Sequence, residues 1–284
     1  METLHEIFAY AKINLGLAIV GRRSDGYHEL QSVMQSIELH DIIRVERLGN
    51  SLVCQCGELS GPGNLAYKAA ALFLRNIEVN EGVLIKIDKQ IPLQAGLAGG
   101  SSDAAAVLLL LNEIYQKPLN FEELKRIALM CGSDVCFFLT GGTMWATGRG
   151  EELEALPAAP KMELVLVKPL DGIDTSKAYR RFDVLGRSGR INKEDWQIVL
   201  RKGQIKEIAA LLHNDFELVS AEMVPEIYHV KQELLRTGCY GSLMSGSGST
   251  VFGIARDKEH AAWAEQKMLK KGFSQVWCAS TQNG

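Results

Sequence analysis

The 284-residue sequence lacks the features that mark several large classes of protein. It has no excess of positive charge, since 31 Lys and Arg stand against 34 Asp and Glu, and this excludes the electrostatic footprint of a nucleic-acid or anionic-membrane binder. No apolar run reaches the roughly 20 residues of a membrane-spanning helix. Residues 1–10 lack the basic stretch and following apolar stretch of a signal peptide. The sequence therefore predicts a cytoplasmic protein without a nucleic-acid or membrane partner.

The six cysteines show no metal-binding or disulfide pattern. None forms a Cys-x-x-Cys pair, and no histidine pair lies beside them at zinc spacing. A hydrophobic content of 46% supplies a core without covalent cross-links. We expect small buried thiols in a reducing compartment and assign them no chemistry.

Apolar periodicity predicts mixed strands and helices without a regular β-α-β alternation, which favours an α+β fold over a doubly wound sheet. Alternation predicts strands over 11–20, 30–48, 82–92, 162–169, 250–256 and 273–280. Helical spacing and capping signals predict helices over 63–76, 120–132, 204–216, 225–238 and 258–272. The pattern restarts after a segment rich in Pro and Ala, so we predict domains over 1–157 and 158–284.

A turn rich in small residues, "IPLQAGLAGGSSD", separates a predicted strand from a predicted helix that starts at about Ser101. Gly96, Gly99 and Gly100 allow close backbone approach, and the following helix N-terminus attracts an anion, which together suit a phosphate. The segment is neither a P-loop, because Ser101 stands where that motif needs Lys, nor a G-x-G-x-x-G dinucleotide fingerprint. The loop alone leaves open a second interpretation, a glycine turn that only lets the helix pack closely.

Four other segments of the sequence bear on the choice between these two interpretations of the loop. With "AKINLGL", "RSDGYHELQSV", "GSDVCFFL" and "SGSGSTVFG", the loop resembles the GHMP superfamily of small-molecule kinases. "KINLGL" with "DGYHEL" narrows the resemblance to the branch that phosphorylates the 2-hydroxyl of 4-diphosphocytidyl-2-C-methyl-D-erythritol. The resemblance implies a two-lobed α+β fold with the active site in the cleft between lobes. It also implies an enzyme that uses ATP and Mg²⁺, acts on this cytidine diphosphate derivative by direct transfer, and is a monomer or weak homodimer.

The resemblance assigns ATP binding to the glycine loop and to two residues before it in the chain. These residues are Pro92, Leu93, Gln94, Ala95, Gly96, Leu97, Ala98, Gly99, Gly100, Ser101, Ser102, Asn64 and Lys89. Asn64 has an alternative role as a helix N-cap. Ala98 stands where some relatives have Gly, which restricts little unless its φ is positive. Ser101 or Ser102 offers the nearest hydroxyl to magnesium, and no acidic metal ligand is evident.

The same resemblance assigns catalysis to Lys12 and Asp134. Contact between a lysine and a carboxylate raises the pKa of the first and lowers that of the second, so the pair would be charged and would orient the acceptor hydroxyl. Asn14, two residues along the strand, would face the same side as Lys12 and bind substrate. Alone, Asp134 could be a helix cap, Lys12 a solvated strand residue and Asn14 a turn residue.

Substrate recognition is assigned by resemblance to Tyr27 and His28, which would stack on and hydrogen-bond the cytosine. Tyr179, in a segment similar to the family's second-domain substrate loop, would form another aromatic wall. Gly246 belongs to a second glycine loop that would close the site. Packing or surface roles are the alternatives for the three ring residues.

Two other functions remain open. A superfamily kinase acting on homoserine, mevalonate or a sugar would share the glycine loop. Such a kinase would not need a cytosine pocket, so the segment "DGYHEL" disfavours this function. A nucleotide-binding regulatory protein without turnover is disfavoured by the presence of both Lys12 and Asp134.

Overall fold

The computed structural model describes residues 5–283, so part of the segment inspected for a signal peptide lies outside the described residues. Two compact units interleave along the chain. The first comprises the residues up to Ala11, Leu39–Pro92 and Ala98–Thr140, and the second comprises Lys12–Glu38, Leu93–Leu97 and the residues from Gly141 onward. The predicted division at residue 157 stays a prediction.

Two long strands contribute residues to both units, and the remaining elements of the first unit are mostly helices. The strands shared by the units are β1 (His5–Arg22) and β2 (His28–Arg47). The first unit adds β3 (Val53–Gln55), α1 (Leu65–Asn76), β4 (Val83–Asp88), α2 (Gly99–Ile114), α3 (Phe121–Cys131) and α4 (Ser133–Phe138). In this unit β4 pairs antiparallel with the end of β2 and parallel with β3. Helix α2 packs against α1, α3 and α4.

The second unit adds the strands β5 (Thr143–Thr147), β6 (Glu152–Ala155), β7 (Glu163–Val167), β8 (His213–Asn214), β9 (Ser242–Met244), β10 (Val251–Ile254) and β11 (Val276–Ser280). Four of these strands form an antiparallel sheet in the order β11-β7-β10-β9. The helices of this unit are α5 (Thr175–Leu185), α6 (Lys193–Lys202), α7 (Ile205–Ala210), α8 (Glu217–Met223), α9 (Glu226–Arg236) and α10 (Lys258–Lys270). Helices α9 and α10 pack on this sheet and bury its apolar side chains.

Helix α3 illustrates how local sequence fixes an element. Asn120 accepts a hydrogen bond from the backbone N–H of Glu123 at 3.0 Å, and the Glu123 carboxylate accepts one from the N–H of Asn120 at 2.8 Å. This reciprocal capping satisfies two N–H groups that a helix start leaves without partners. The predicted helix over 120–132 is confirmed, as is the α+β class.

Two sequence expectations are wrong. The helix predicted over 204–216 ends at Ala210, because His213 and Asn214 pair in parallel with Gly16 and Leu17 of β1. Long-range strand pairing thus replaces the helical periodicity of that segment. Tyr179 lies on helix α5 instead of in a loop, since the Asp174 side chain caps that helix by accepting from the Lys177 N–H at 2.9 Å.

Two further features of the structure concern the burial of the cysteines and the length of the helices. Five of the six free cysteines are buried, and Cys278 is exposed. Burial raises the pKa of Cys54 to about 11, which keeps that thiol protonated. Within residues 5–283, none of the helices combines the length and the apolar character needed to cross a membrane.

Candidate active site

The glycine loop reverses direction through three left-handed residues. Gln94, Gly96 and Ala98 have φ values of 50, 73 and 57°. Left-handed residues between right-handed or extended ones turn successive N–H groups to one side, which makes an anion-binding concavity. Ala98 is also the N-cap of α2, so this helix begins two residues earlier than predicted, and the N–H groups of its first turn follow the loop directly. Because the φ of Ala98 is positive, its methyl group bears strain that glycine would avoid.

Gly96 lies against the second glycine loop. A Cβ at Gly96 would lie 2.1 Å from the Ser245 carbonyl oxygen, so only glycine fits. The Ser245 hydroxyl donates to the Gly96 carbonyl at 3.0 Å, and the Thr250 N–H donates to the Ala95 carbonyl at 3.2 Å. These contacts hold the first part of the loop in one conformation.

Lys12 is 4% exposed and its ammonium group is held at the loop. Its Nζ donates to Asn14 Oδ1 at 2.6 Å and to the Gly96 carbonyl at 2.8 Å. Asn14 in turn donates to Ser32 Oγ at 2.8 Å, which fixes the amide orientation. A Cβ at Gly246 would lie 3.2 Å from Lys12 Nζ. A buried, oriented ammonium group beside a glycine loop can stabilise negative charge on a bound ligand.

The two serines that follow the glycines differ in availability. Ser102 is 2% exposed, and its hydroxyl donates to the Tyr10 carbonyl at 2.6 Å. Ser101 is half-buried. Of the two hydroxyls proposed for magnesium or phosphate, Ser101 is therefore the more accessible.

Lys89 forms a buried cluster of three charged groups with Asp41 and Asp103. Its Nζ contacts Asp41 Oδ2 and donates to Asp103 Oδ2 at 2.9 Å. Asp41 Oδ1 also accepts from the backbone N–H groups of Gln90 and Ile91 at 2.6 and 2.8 Å. Within residues 5–283, Asp103 Oδ1 is buried without a hydrogen-bond partner. We call this set the Asp41–Lys89–Asp103 cluster.

The cluster contains two carboxylates for one ammonium group. Burial lowers the pKa of Lys89, but Asp103 and Asp41 outweigh it, so the net shift is upward and the ammonium stays charged. Burial raises the pKa of Asp103 to about 7; Lys89 opposes this rise and Asp41 adds to it. Asp103 therefore keeps its proton to a higher pH than an ordinary aspartate does.

The three ring residues assigned to cytosine lie near one another in the second unit. His28 and Tyr179 stack with ring centroids 4.6 Å apart and ring planes 20° apart. This spacing is that of direct contact, so a base between these two rings would need about twice the distance. His28 Nε2 lies 2.6 Å from Asp183 Oδ1. Tyr27 is 56% exposed, and the Arg149 guanidinium lies 4.7 Å from its ring centroid.

Comparison with known proteins decides the family. Residues 64–142 match the GHMP kinases N terminal domain, and residues 198–275 match the GHMP kinases C terminal domain. The 4-diphosphocytidyl-2-C-methyl-D-erythritol kinase of Desulfitobacterium hafniense is 54% identical over 277 residues, 97% of this chain and 95% of that one. The chain belongs to the 4-diphosphocytidyl-2-C-methyl-D-erythritol kinase family of GHMP kinases.

The fold agrees with this membership. A crystal structure of 4-(cytidine 5'-diphospho)-2C-methyl-D-erythritol kinase superposes with a TM-score of 0.86 at 35% identity, covering 99% of this chain and 100% of that one. L. major mevalonate kinase in complex with R-mevalonate has a TM-score of 0.76 at 17% identity, covering 100% and 97%, which is similarity of fold alone. The expectations of a GHMP kinase fold and of an ATP-dependent small-molecule kinase are confirmed.

The structure of this family member bears on the alternative role of helix cap, which the sequence left open for Asp134 and Asn64. Asp134 lies in the first turn of α4, where Gly132 is the N-cap and, within residues 5–283, no side chain caps the helix, so Asp134 is not its cap. Asn64 does cap α1, accepting from the Ala66 N–H at 2.9 Å and donating to the Leu59 carbonyl at 3.1 Å. Its contact with ATP stays a prediction, as do the other assigned ligand contacts.

Sequence reasoning missed three carboxylates of this kinase: Asp41, Asp103 and Asp183. Asp103 directly follows the two serines, so its place in the first turns of α2 was available from the sequence. Asp41 lies in a strand of alternating residues, where an acidic residue at a buried position is the signal. Asp183 meets His28 across 155 positions of sequence, and no local pattern indicates that contact.

Proposed function

We propose that this kinase transfers the γ-phosphoryl group of ATP to the 2-hydroxyl of 4-diphosphocytidyl-2-C-methyl-D-erythritol, giving the 2-phosphate and ADP. The reaction would serve the non-mevalonate route to isoprenoid precursors. The observation that carries the proposal is similarity along nearly the whole chain to kinases named for this substrate.

The glycine loop supports a role in holding the triphosphate. Its left-handed residues and the N-terminus of α2 present N–H groups to an anion. Lys12 adds a positive charge at Gly96, where the ammonium is oriented by two neutral oxygens. Positioning and charge stabilisation are the main requirements of phosphoryl transfer, because the transferred group spreads negative charge over its oxygens.

The residues around the glycine loop fit a magnesium ion that binds together with the phosphates of the nucleotide. Within residues 5–283, no group of three or more His, Cys, Asp and Glu side chains could enclose a metal. Magnesium ordinarily keeps several waters and shares substrate phosphates with one or two protein ligands. The Ser101 hydroxyl would hold it, and the ion supplies neutralisation of phosphate charge when bound.

For the acceptor, we propose that Asp134 orients the 2-hydroxyl and receives its proton as transfer proceeds, with Lys12 acting on the same hydroxyl. A general base of this kind contributes about 10²–10⁴-fold to the rate. Tyr27 and His28 would recognise the cytosine and Asn14 the remainder of the substrate, which together would favour this acceptor over homoserine, mevalonate or a sugar.

The test is ADP release with ATP and magnesium, comparing the cytidine diphosphate substrate with homoserine, mevalonate and galactose. Turnover confined to the first supports the proposal. Turnover with another acceptor would refute the substrate assignment, and nucleotide binding without turnover on any acceptor would favour the regulatory alternative.

The mechanism is tested with Asp134→Asn, which removes the charge at nearly constant shape. We expect kcat to fall by about two to four orders of magnitude, because the hydroxyl loses its base. Asp195→Asn, on an exposed position of α6, is the matched control and should retain full activity. If Lys12 and Asp134 act as a unit, Lys12→Met combined with Asp134→Asn should cost no more than the worse single change. Near-normal turnover in Asp134→Asn would refute the assignment.

A further inference from the structure

We propose that Asp183 is a positioning residue that sets the base specificity of this kinase by fixing which nitrogen of His28 carries the proton. The inference rests on the proposed function, in which His28 contacts the cytosine. It adds a residue that selects cytosine over uracil without touching the base.

The first observation is the contact itself. His28 Nε2 and Asp183 Oδ1 are 2.6 Å apart, a hydrogen-bond distance. An ionised carboxylate only accepts hydrogen bonds, so the proton of this bond belongs to Nε2. The Arg22 Nη1 lies 3.9 Å from the other carboxylate oxygen of Asp183 and places a positive charge beside it. The carboxylate is therefore arranged to accept and His28 to donate.

The second observation is that the His28 ring cannot turn freely. Its face stacks on Tyr179, and Tyr179 is itself held by the edge-to-face contact with Phe216, with centroids 4.7 Å apart and planes 84° apart. The His28 side chain is only 9% exposed. A ring held on one face by Tyr179 and at one edge by Asp183 has a fixed orientation for its other nitrogen.

The consequence concerns Nδ1. In a neutral imidazole one nitrogen donates and the other accepts, so a proton held on Nε2 leaves Nδ1 as an acceptor. Within residues 5–283, no hydrogen bond joins Nδ1 of His28 to another residue, which leaves it available to a ligand.

An acceptor at this point discriminates between the two pyrimidines. Cytosine presents an amino donor at position 4, whereas uracil presents a carbonyl acceptor there. Nδ1 can accept a hydrogen bond from the amino group of cytosine. Opposite uracil, Nδ1 would face the carbonyl oxygen, and neither of these two acceptors has a proton to donate. A buried polar group left without a partner disfavours the wrong ligand by much more than a lost contact does. The wild-type enzyme should therefore prefer the cytidine substrate by about tenfold or more in kcat/KM.

The decisive variant is Asp183→Asn. An asparagine can accept from Nε2 through its oxygen or donate to Nε2 through its amide, and the second arrangement moves the ring proton to Nδ1. The His28 proton is then no longer fixed, and Nδ1 can serve uracil as well as cytosine. We expect the ratio of kcat/KM for the cytidine substrate to that for its uridine analogue to fall about tenfold, with kcat on the cytidine substrate changed less than about threefold.

The kinetic experiment compares wild type, Asp183→Asn and the exposed control Asp195→Asn on both substrates. A reduced ratio in Asp183→Asn alone supports the proposal. An unchanged ratio, or an equal loss on both substrates, overturns it, because a merely structural role would weaken both alike. Absence of base preference in the wild type overturns it as well.

A second measurement separates this inference from the proposed function. Nitrogen NMR of the ¹⁵N-histidine-labelled enzyme, with His28 assigned among six histidines by His28→Gln, reads the ring tautomer without substrate. The expected result is a proton on Nε2 in wild type and a mixture in Asp183→Asn. If the wild type fails to phosphorylate the cytidine substrate, the proposed function falls, while the NMR result still decides whether Asp183 fixes the tautomer. An Nδ1-protonated ring in wild type would overturn the inference.

Discussion

Asp103→Asn should make the protein more stable at alkaline pH, although it removes a residue that bonds Lys89. In the Asp41–Lys89–Asp103 cluster one ammonium group faces two buried carboxylates. Asp103 is 2% exposed, and burial raises its pKa to about 7 from an ordinary value of 3.8. Asparagine keeps the shape and an oxygen acceptor for Lys89, but it never carries the surplus charge.

The sign and size follow from proton linkage. A raised pKa means that the folded state binds the proton more tightly than the unfolded chain does. The stability of the wild type therefore falls as pH rises from the unfolded pKa near 4 to the folded pKa near 7, and it is flat above that. Between pH 5.5 and 8.5 the wild type should lose about 2 kcal/mol of unfolding free energy relative to Asp103→Asn, most of it below pH 7.

Urea unfolding of wild type and Asp103→Asn at pH 5.5, 7.0 and 8.5 measures this difference. The exposed Asp195→Asn is the control, and its stability should run parallel to that of wild type at all three values. Parallel curves for wild type and Asp103→Asn, or a wild type that gains on the variant as pH rises, would refute the reasoning.

The two remaining predictions concern the backbone of the glycine loop. Gly96→Ala should lower the unfolding free energy by about 2–5 kcal/mol, because the methyl group meets the Ser245 carbonyl at a left-handed φ of 73°. Gly100→Ala is the control, since the nearest atom to a Cβ at Gly100 is 3.8 Å away, and equal stability of the two variants in urea would contradict the prediction. Ala98→Gly should raise the unfolding free energy by about 0.5–1 kcal/mol by relieving strain at φ 57°, and a lower urea midpoint would exclude that strain.

Several elements of the fold could be predicted from the sequence because their causes are local. The helix that begins after Asn120 is set by a cap and an acidic residue three positions apart. The small residues before α2 predicted a turn followed by a helix, and alternation over 273–280 predicted the strand that the structure has at Val276–Ser280. Periodicity and capping act over about four residues, so they can be recognised in the sequence without knowledge of the tertiary structure.

The sequence by itself determined the glycine loop, its helix and, through motif resemblance, the family of the kinase. Only the tertiary structure decided that His213 and Asn214 form a strand, that Tyr179 lies on a helix, and which carboxylates meet Lys89 and His28. The partners of Lys89 and His28 are separated from them by 48 and 155 positions, for Asp41 and Asp183. Such contacts form when distant segments pack, and the charge and proton positions at the site follow from that packing.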